Sequence, residues 1–160
     1  MLTHHCIPVC LSLIATDLPI ESVVETAATL YQKDTDRFHL LMAEPLTQNQ
    51  QPPDEDSNPV PAAKPRLLWL NISPYRVTMT MQGNGQVNYR HYWEQGVYGF
   101  SRYWLRNQSL ESSEQMCFRN FTRSLKLTGR TLPEHLRLEY ELWSEKIQLG
   151  SYVLTLDLQH

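Results

Sequence analysis

The runs LRLEYELW (residues 136–143) and YVLTLDL (residues 152–158) decide the architecture of this 160-residue chain. In the first, Leu136, Leu138, Tyr140 and Leu142 alternate with Arg137, Glu139 and Glu141. In the second, Tyr152, Leu154, Leu156 and Leu158 alternate with Val153, Thr155 and Asp157. Successive side chains of a strand point to opposite faces, so this period of two marks strands with one face on a core. Joined around Ser144–Gly150, the two runs predict a terminal antiparallel hairpin.

Working back from it, Leu67–Ile72, Tyr75–Gln82, Gln86–Trp93 and Val97–Leu105 read as four strands. They are divided by Ser73-Pro74, Gly83-Asn84-Gly85 and Glu94-Gln95-Gly96. Links this short force antiparallel neighbours. A two-residue turn at Asn84-Gly85 is the commonest hairpin loop, but it sets Met81 opposite Asn88 and Met79 opposite Arg90. A three-residue loop bulged at Gly85 keeps the apolar face whole, pairing Met81 with Val87, Met79 with Tyr89 and Val77 with His91. The same reasoning pairs Trp93 with Val97, His91 with Gly99 and Tyr89 with Ser101. The predicted core face carries Val77, Met79, Met81, Val87, Tyr89, Trp93, Val97, Tyr103 and Leu105.

Two helices are expected beside this sheet. After a strand over Val9–Ala15, Asp17 offers an N-cap and Pro19 suits a first turn. Ile20, Val23, Val24, Ala27, Leu30 and Tyr31 then follow at helical spacing, and Arg37–Met42 reads as a short strand. Ser112 and Gln115 form a capping-box pair ahead of a stripe of Cys117, Phe118, Phe121 and Leu125, with Gly129 as a stop. Residues 1–46 thus form a β-α-β part of a single domain, and residues 66–160 an antiparallel sheet with one inserted helix. Between them TQNQQPPDEDSNPVPAAKP (residues 47–65) holds five of the ten prolines and only Val60 as a large apolar residue, which predicts a disordered Pro/Gln-rich linker or loop. The expected class is α+β: a curved or barrel-like, mostly antiparallel sheet packed with two helices. A lipocalin-like closed barrel is the alternative architecture.

The net charge of −3 is unevenly spread: −6 over residues 1–65, +6 over 66–130 and −3 over 131–160. A basic middle suits a polyanion or an acidic partner, or is neutralised by the ends within the fold. Glycine periodicity, heptads and long uncharged apolar runs are all missing, which excludes collagen, coiled-coil and helical membrane classes. The apolar stretch Ile7–Ala15 is interrupted by Pro8 and has no Lys or Arg ahead of it, so a secretory signal is not expected. Cys6, Cys10 and Cys117 read as free thiols of a cytoplasmic protein.

Candidates for chemistry are few. His4, His5, Cys6 and Cys10 cluster near the N-terminus, but no second ligand pair follows as in zinc sites, and a plain strand accounts for them. His91 is predicted to face inward and is the best single candidate for acid–base work, though no carboxylate is positioned to orient it. Glu139 and Glu141 share a strand face with Arg137, which suggests a solvated surface rather than a catalytic pair. Gly83-Asn84-Gly85 and Gly96–Gly99 are too short to cradle phosphate, and no GxSxG, HExxH, paired CxxC, dinucleotide or P-loop fingerprint occurs. No catalytic, cofactor or metal site is therefore expected.

What stands out is the face opposite the predicted core: Thr78, Thr80, Arg90, Tyr92, Tyr98, Phe100, Arg102 and Trp104, with Arg106 at its end. Aromatic rings interleaved with guanidinium groups anchor protein partners or stack bases, unless a helix covers them. The expectation is a non-catalytic adaptor, assembly or regulatory protein. It would bind a protein partner, or itself, through Arg90, Tyr92, Tyr98, Phe100, Arg102, Trp104 and Arg106, without a membrane. The alternatives are single-stranded nucleic-acid binding and carriage of a small apolar ligand in a lipocalin-like barrel.

Overall fold

A computed structural model describes residues 3–19, 21–44, 66–83, 86–105 and 114–160. Ten strands follow one another: β1 (Thr3–Ala15), β2 (Glu21–Gln32), β3 (Phe38–Glu44), β4 (Arg66–Ile72), β5 (Arg76–Gly83), β6 (Gln86–Glu94), β7 (Tyr98–Leu105), β8 (Glu114–Thr128), β9 (His135–Ser144) and β10 (Ile147–Leu158). Each pairs antiparallel with its neighbours in sequence, and β10 returns to β1, with Leu11 opposite Leu156 and Leu13 opposite Leu154. The sheet therefore closes into an up-and-down barrel in which every strand has two partners and no edge is left open. The predicted segment 47–65 lies outside the described residues.

The α+β expectation is overturned: the protein is all-β, and both expected helices are strands. Ile20–Tyr31 falls largely within β2, which pairs with β1 from Thr3–Gln32 to Ile14–Glu21. The spacing of Val23, Val24, Ala27 and Leu30 fits a helix, but Val24, Thr26, Ala28 and Leu30 also alternate. The β-branched Val23, Val24, Thr26 and Thr29 favour the extended form, and β1 supplies the partner. The stretch after Ser112 is β8. There Phe118, Asn120 and Thr122 point inward, and a bulge between Thr122 and Ser124 then brings Leu125 to the same side. Two polar residues on the core side and one extra residue hide the period of two, leaving a pattern that mimics a helical stripe. Gly129 ends a strand rather than a helix. Its φ of 147° and the carbonyl of Leu132, 2.1 Å from where a Cβ would stand, require glycine.

The terminal hairpin forms as its alternation indicates, with Leu136 opposite Leu156, Leu138 opposite Leu154 and Tyr140 opposite Tyr152. In the central ribbon the faces agree with expectation but the registers do not. Met81 pairs with Tyr89, Met79 with His91 and Val77 with Trp93, while Gly83 pairs with Gln86; the extra residue is Asn88, not Gly85. Across β6–β7, Tyr89 faces Tyr103 and His91 faces Ser101. Each expected register is out by two residues, and a two-residue slip leaves every side chain on its original face. Val87 and Val97 are exceptions: the bulge sets Val87 opposite Gln82 rather than Met81, and Val97 sits in the turn, 44% exposed, so neither joins the core.

Inward-facing Ile7, Val9, Leu30, Leu40, Met42, Leu68, Leu70, Met79, Leu138 and Leu154 fill the interior. Apolar side chains inside and charged ones outside is the inverse of the pattern of barrels that span membranes. Among the described residues no helix is long and apolar enough to cross a membrane. At the end bearing the β2–β3, β4–β5, β6–β7 and β8–β9 connections, Ile72, Val77, Trp93, Leu136 and Leu156 are fully buried and Leu132 packs beneath them. This end is closed.

Candidate functional site

Two constellations emerge, one on the outer wall and one inside. On the outer wall, Arg90 and Arg102 are exposed, Tyr98 and Phe100 are 54% and 53% exposed, and Tyr92 and Trp104 are half-buried. Among the described residues no helix lies over them. Arg106 falls outside the described residues. Cross-strand pairing orders the face: Arg90 lies between Thr80 and Arg102, and Arg102 between Arg90 and Cys117. The β8 strand then adds Arg119 opposite Phe100 and Phe121 opposite Tyr98. These two residues went unassigned to the face because their segment reads as a helix.

Guanidinium groups and rings alternate across this wall. Arg76 lies 5.2 Å from the centre of the Tyr92 ring, Arg102 5.5 Å from that of Phe100 and Arg119 4.8 Å from that of Tyr98. Each contact sets a guanidinium over an aromatic ring, and N–H donors at the edge of such a group can meet an anion. Arg76 also pairs with Glu94 at 3.5 Å. Arg90 donates through Nε to the hydroxyl of Thr80 at 3.2 Å. Further round the wall, the nearly buried Glu141 accepts from Arg123 and from the Trp143 indole, and Glu139 pairs with Arg137. The two glutamates are thus separately occupied by basic neighbours.

Inside, a polar chain crosses β6, β7 and β8 in the midst of the core. Asn120 donates through Nδ2 to Ser101 Oγ at 2.9 Å, and Ser101 Oγ lies 2.7 Å from His91 Nδ1. His91 Nε2 is 3.4 Å from the Tyr103 hydroxyl. Ser101 Oγ thus accepts from Asn120, and the direction of its bond to Nδ1 and of the Tyr103–Nε2 contact follows the His91 tautomer. His91 is 5% exposed and stacks on Trp93 at 4.8 Å with the planes 6° apart. Burial alone holds its pKa down to about 4, so the ring is neutral at physiological pH. Burial also lifts the Tyr103 phenol to about 12 and that of Tyr140 well above the usual range, the neighbouring tyrosines adding to both. Both hydroxyls stay protonated.

His91 thus faces inward as expected, and its hydrogen-bond partners among the described residues are hydroxyls. The polar Ser101, Asn120 and Thr122 beside it were missed; Asn and Thr alternating with Arg119 and Phe121 were the available signal. Among the described residues, Trp93 Nε1, Asn120 Oδ1 and Thr122 Oγ1 are buried without a hydrogen-bond partner. The chain is set against the Gly99 backbone, where a Cβ would stand 2.0 Å from the Tyr92 carbonyl and 2.9 Å from Asn120 Oδ1. Among the described residues no three His, Cys, Asp or Glu side chains converge as for a metal, and Cys6, Cys10 and Cys117 are free thiols.

No protein-family profile matches the chain, and no curated protein matches its sequence. Among solved structures, the ywiB protein from Bacillus subtilis superposes with a TM-score of 0.59 at 11% identity, over 99% of this chain and 94% of that one. The likeness is one of fold: the barrel as a whole, from β1 to β10, is an architecture this chain shares with that protein.

Proposed function

We propose that the outer wall of β6–β8 docks a protein partner through an acidic segment, and that the chain acts as an adaptor or regulatory protein. The observation that carries this reading is the direct opposition of Arg90 and Arg102 across β6–β7. Both are exposed, and among the described residues neither has a carboxylate partner. Like charges directly opposite on adjacent strands are destabilising, so the pair disfavours the unbound fold. A carboxylate seated between two guanidinium forks converts that repulsion into charge-assisted hydrogen bonds. Tyr98 and Phe100 beside them supply the apolar area that dominates interface energetics.

A second copy docking face to face would oppose arginines with arginines, so a different, acidic chain suits the wall better. Three free thiols are in keeping with a reducing, cytoplasmic setting. The inner histidine, hydrogen-bonded to hydroxyls alone, lends catalysis no support.

The test is fluorescence anisotropy with a labelled Glu/Phe-rich peptide and, separately, a labelled oligothymidylate. The peptide is expected to bind, weakening roughly tenfold in Arg102→Ala and Trp104→Ala while both variants stay folded. Oligothymidylate binding with a steep salt dependence would instead favour nucleic acid. Failure of the peptide to bind at low salt, or unfolding of both variants, sinks the proposal.

A further inference from the structure

We propose that the cleft between the β2–β3 and β4–β5 connections binds a small zwitterion of the α-amino acid class that carries an aromatic side chain. The site lies at the closed end of the barrel, and every residue lining it belongs to the described part of the chain. It does not rest on the docking proposal.

The cleft has a volume of about 500 Å³, within the range of small-molecule sites. Its floor is apolar: Phe38 and Ile72, paired across β3–β4, are core residues whose edges reach it. One rim is the β2–β3 connection, drawn together where the amide of Lys33 donates to the Arg37 carbonyl at 3.0 Å. The other rim is the β4–β5 turn. There the Ser73 amide and hydroxyl both donate to the Arg76 carbonyl, at 3.0 Å and 2.9 Å. Hydrogen bonds fix both rims before any guest arrives, which spares binding the cost of ordering them.

The chemistry of the guest follows from the charges left over. Arg37 is taken by Asp34, and Arg76 by Glu94 and the face of Tyr92. Asn71 donates to the Thr78 hydroxyl at 3.0 Å. Lys33 and Asp36 remain: among the described residues neither takes part in an ion pair, with the other or with any neighbour. An ammonium and a carboxylate thus stand on one short rim without neutralising each other. Their complement is a molecule with both charges close together, each meeting its opposite through charge-assisted hydrogen bonds. A plain anion drawn to Lys33 would also face Asp36, and a plain amine drawn to Asp36 would face Lys33, so both are disfavoured. Across the cleft Tyr75 is 69% exposed, and among the described residues no ring or cation covers it. A tyrosine standing in solvent above an apolar floor is a platform on which a second ring stacks.

Amide NMR titration of the whole chain with L-phenylalanine, hydrocinnamate (no ammonium) and phenethylamine (no carboxylate) tests the proposal. L-Phenylalanine is expected to give saturable shifts at Lys33–Phe38 and Ser73–Arg76, with an affinity roughly tenfold tighter than either analogue. Asp36→Asn should weaken L-phenylalanine about tenfold and leave hydrocinnamate unchanged. Lys33→Met should weaken L-phenylalanine as much and leave phenethylamine unchanged. This crossed pattern separates loss of a charge from loss of the fold, which the amide spectrum also reports. Tyr75→Ala should weaken L-phenylalanine about threefold. Absence of saturable shifts, an analogue binding as tightly as L-phenylalanine, or unchanged affinity in any of the three variants would overturn the proposal. Shifts confined to β6–β8 would also overturn it, by placing the guest on the outer wall.

Discussion

Acid should destabilise this barrel chiefly through His91. Its pKa stands near 6.5 in the unfolded chain and at about 4 in the fold, lowered by burial among Trp93, Tyr103, Tyr140 and Ser101. Between those values the unfolded state binds a proton that the folded state refuses. Stability is therefore fully present above pH 6.5, falls as pH drops through the window and levels off below about 4. A shift of this size corresponds to about 3 kcal/mol in full, of which about 2 kcal/mol is lost by pH 5. That is a large share of the roughly 5–15 kcal/mol that holds a domain together. The groups facing His91 are phenols, a hydroxyl and an indole, which do not titrate here. The assay is urea denaturation at a series of pH values between 7.5 and 4, run on the native chain and on His91→Gln. The variant keeps a hydrogen-bonding side chain and should lose the steep segment between pH 6.5 and 5, retaining the shallower slope that His39, also lowered by burial, supplies. Parallel curves for the two proteins, or an NMR titration placing the His91 midpoint above 6, would refute the reasoning.

Removing the Arg90–Arg102 opposition by Arg90→Ala should raise stability by about 0.5 kcal/mol in denaturant titration, even as it weakens the acidic peptide; a loss of stability would show the pair is not repulsive. Gly99→Ala drives a methyl into the Tyr92 carbonyl, a backbone atom with no room to move, and should cost about 3 kcal/mol or prevent folding, read by circular dichroism and thermal melting. Leu138→Ala, at the centre of the core, should cost about 2–5 kcal/mol without altering the denaturant slope. Arg123→Ala leaves the Glu141 carboxylate with only the Trp143 indole; because Arg123 is largely exposed the loss should be modest, about 1 kcal/mol, with a change in tryptophan emission.

How far the fold could be read depended on what each strand buries. The terminal hairpin was legible because Leu136 to Leu142 and Tyr152 to Leu158 place apolar residues inward without exception. Faces in the central ribbon were legible for the same reason, and the register was not. Pairing Met81 with Val87 or with Tyr89 satisfies the core equally well, and the bulge at Asn88 has no signature in the side chains. β2 and β8 were misread where the inner face turns polar or small: Thr26 and Ala28 in one, Asn120 and Thr122 in the other. Those positions matter most for the candidate sites. Asn120 belongs to the interior polar chain, and the helix reading removed Arg119 and Phe121 from the outer wall. Closure itself lay beyond the pattern, since nothing in β1 names β10 as its second partner.

That second partnership sets a schedule for how the chain comes into being. Ser12 of β1 meets Thr155 of β10 across a sequence separation of 143 residues. With synthesis at roughly 5–20 residues per second, the free side of the first strand waits roughly seven to thirty seconds for the strand that completes it. Through that interval the nascent ribbon presents bare N–H and C=O groups to every other newborn copy nearby. Ejection of the polypeptide from the ribosome before the last hairpin is made should leave an adhesive intermediate, and escorts that shield such ribbons should matter most for this protein at birth.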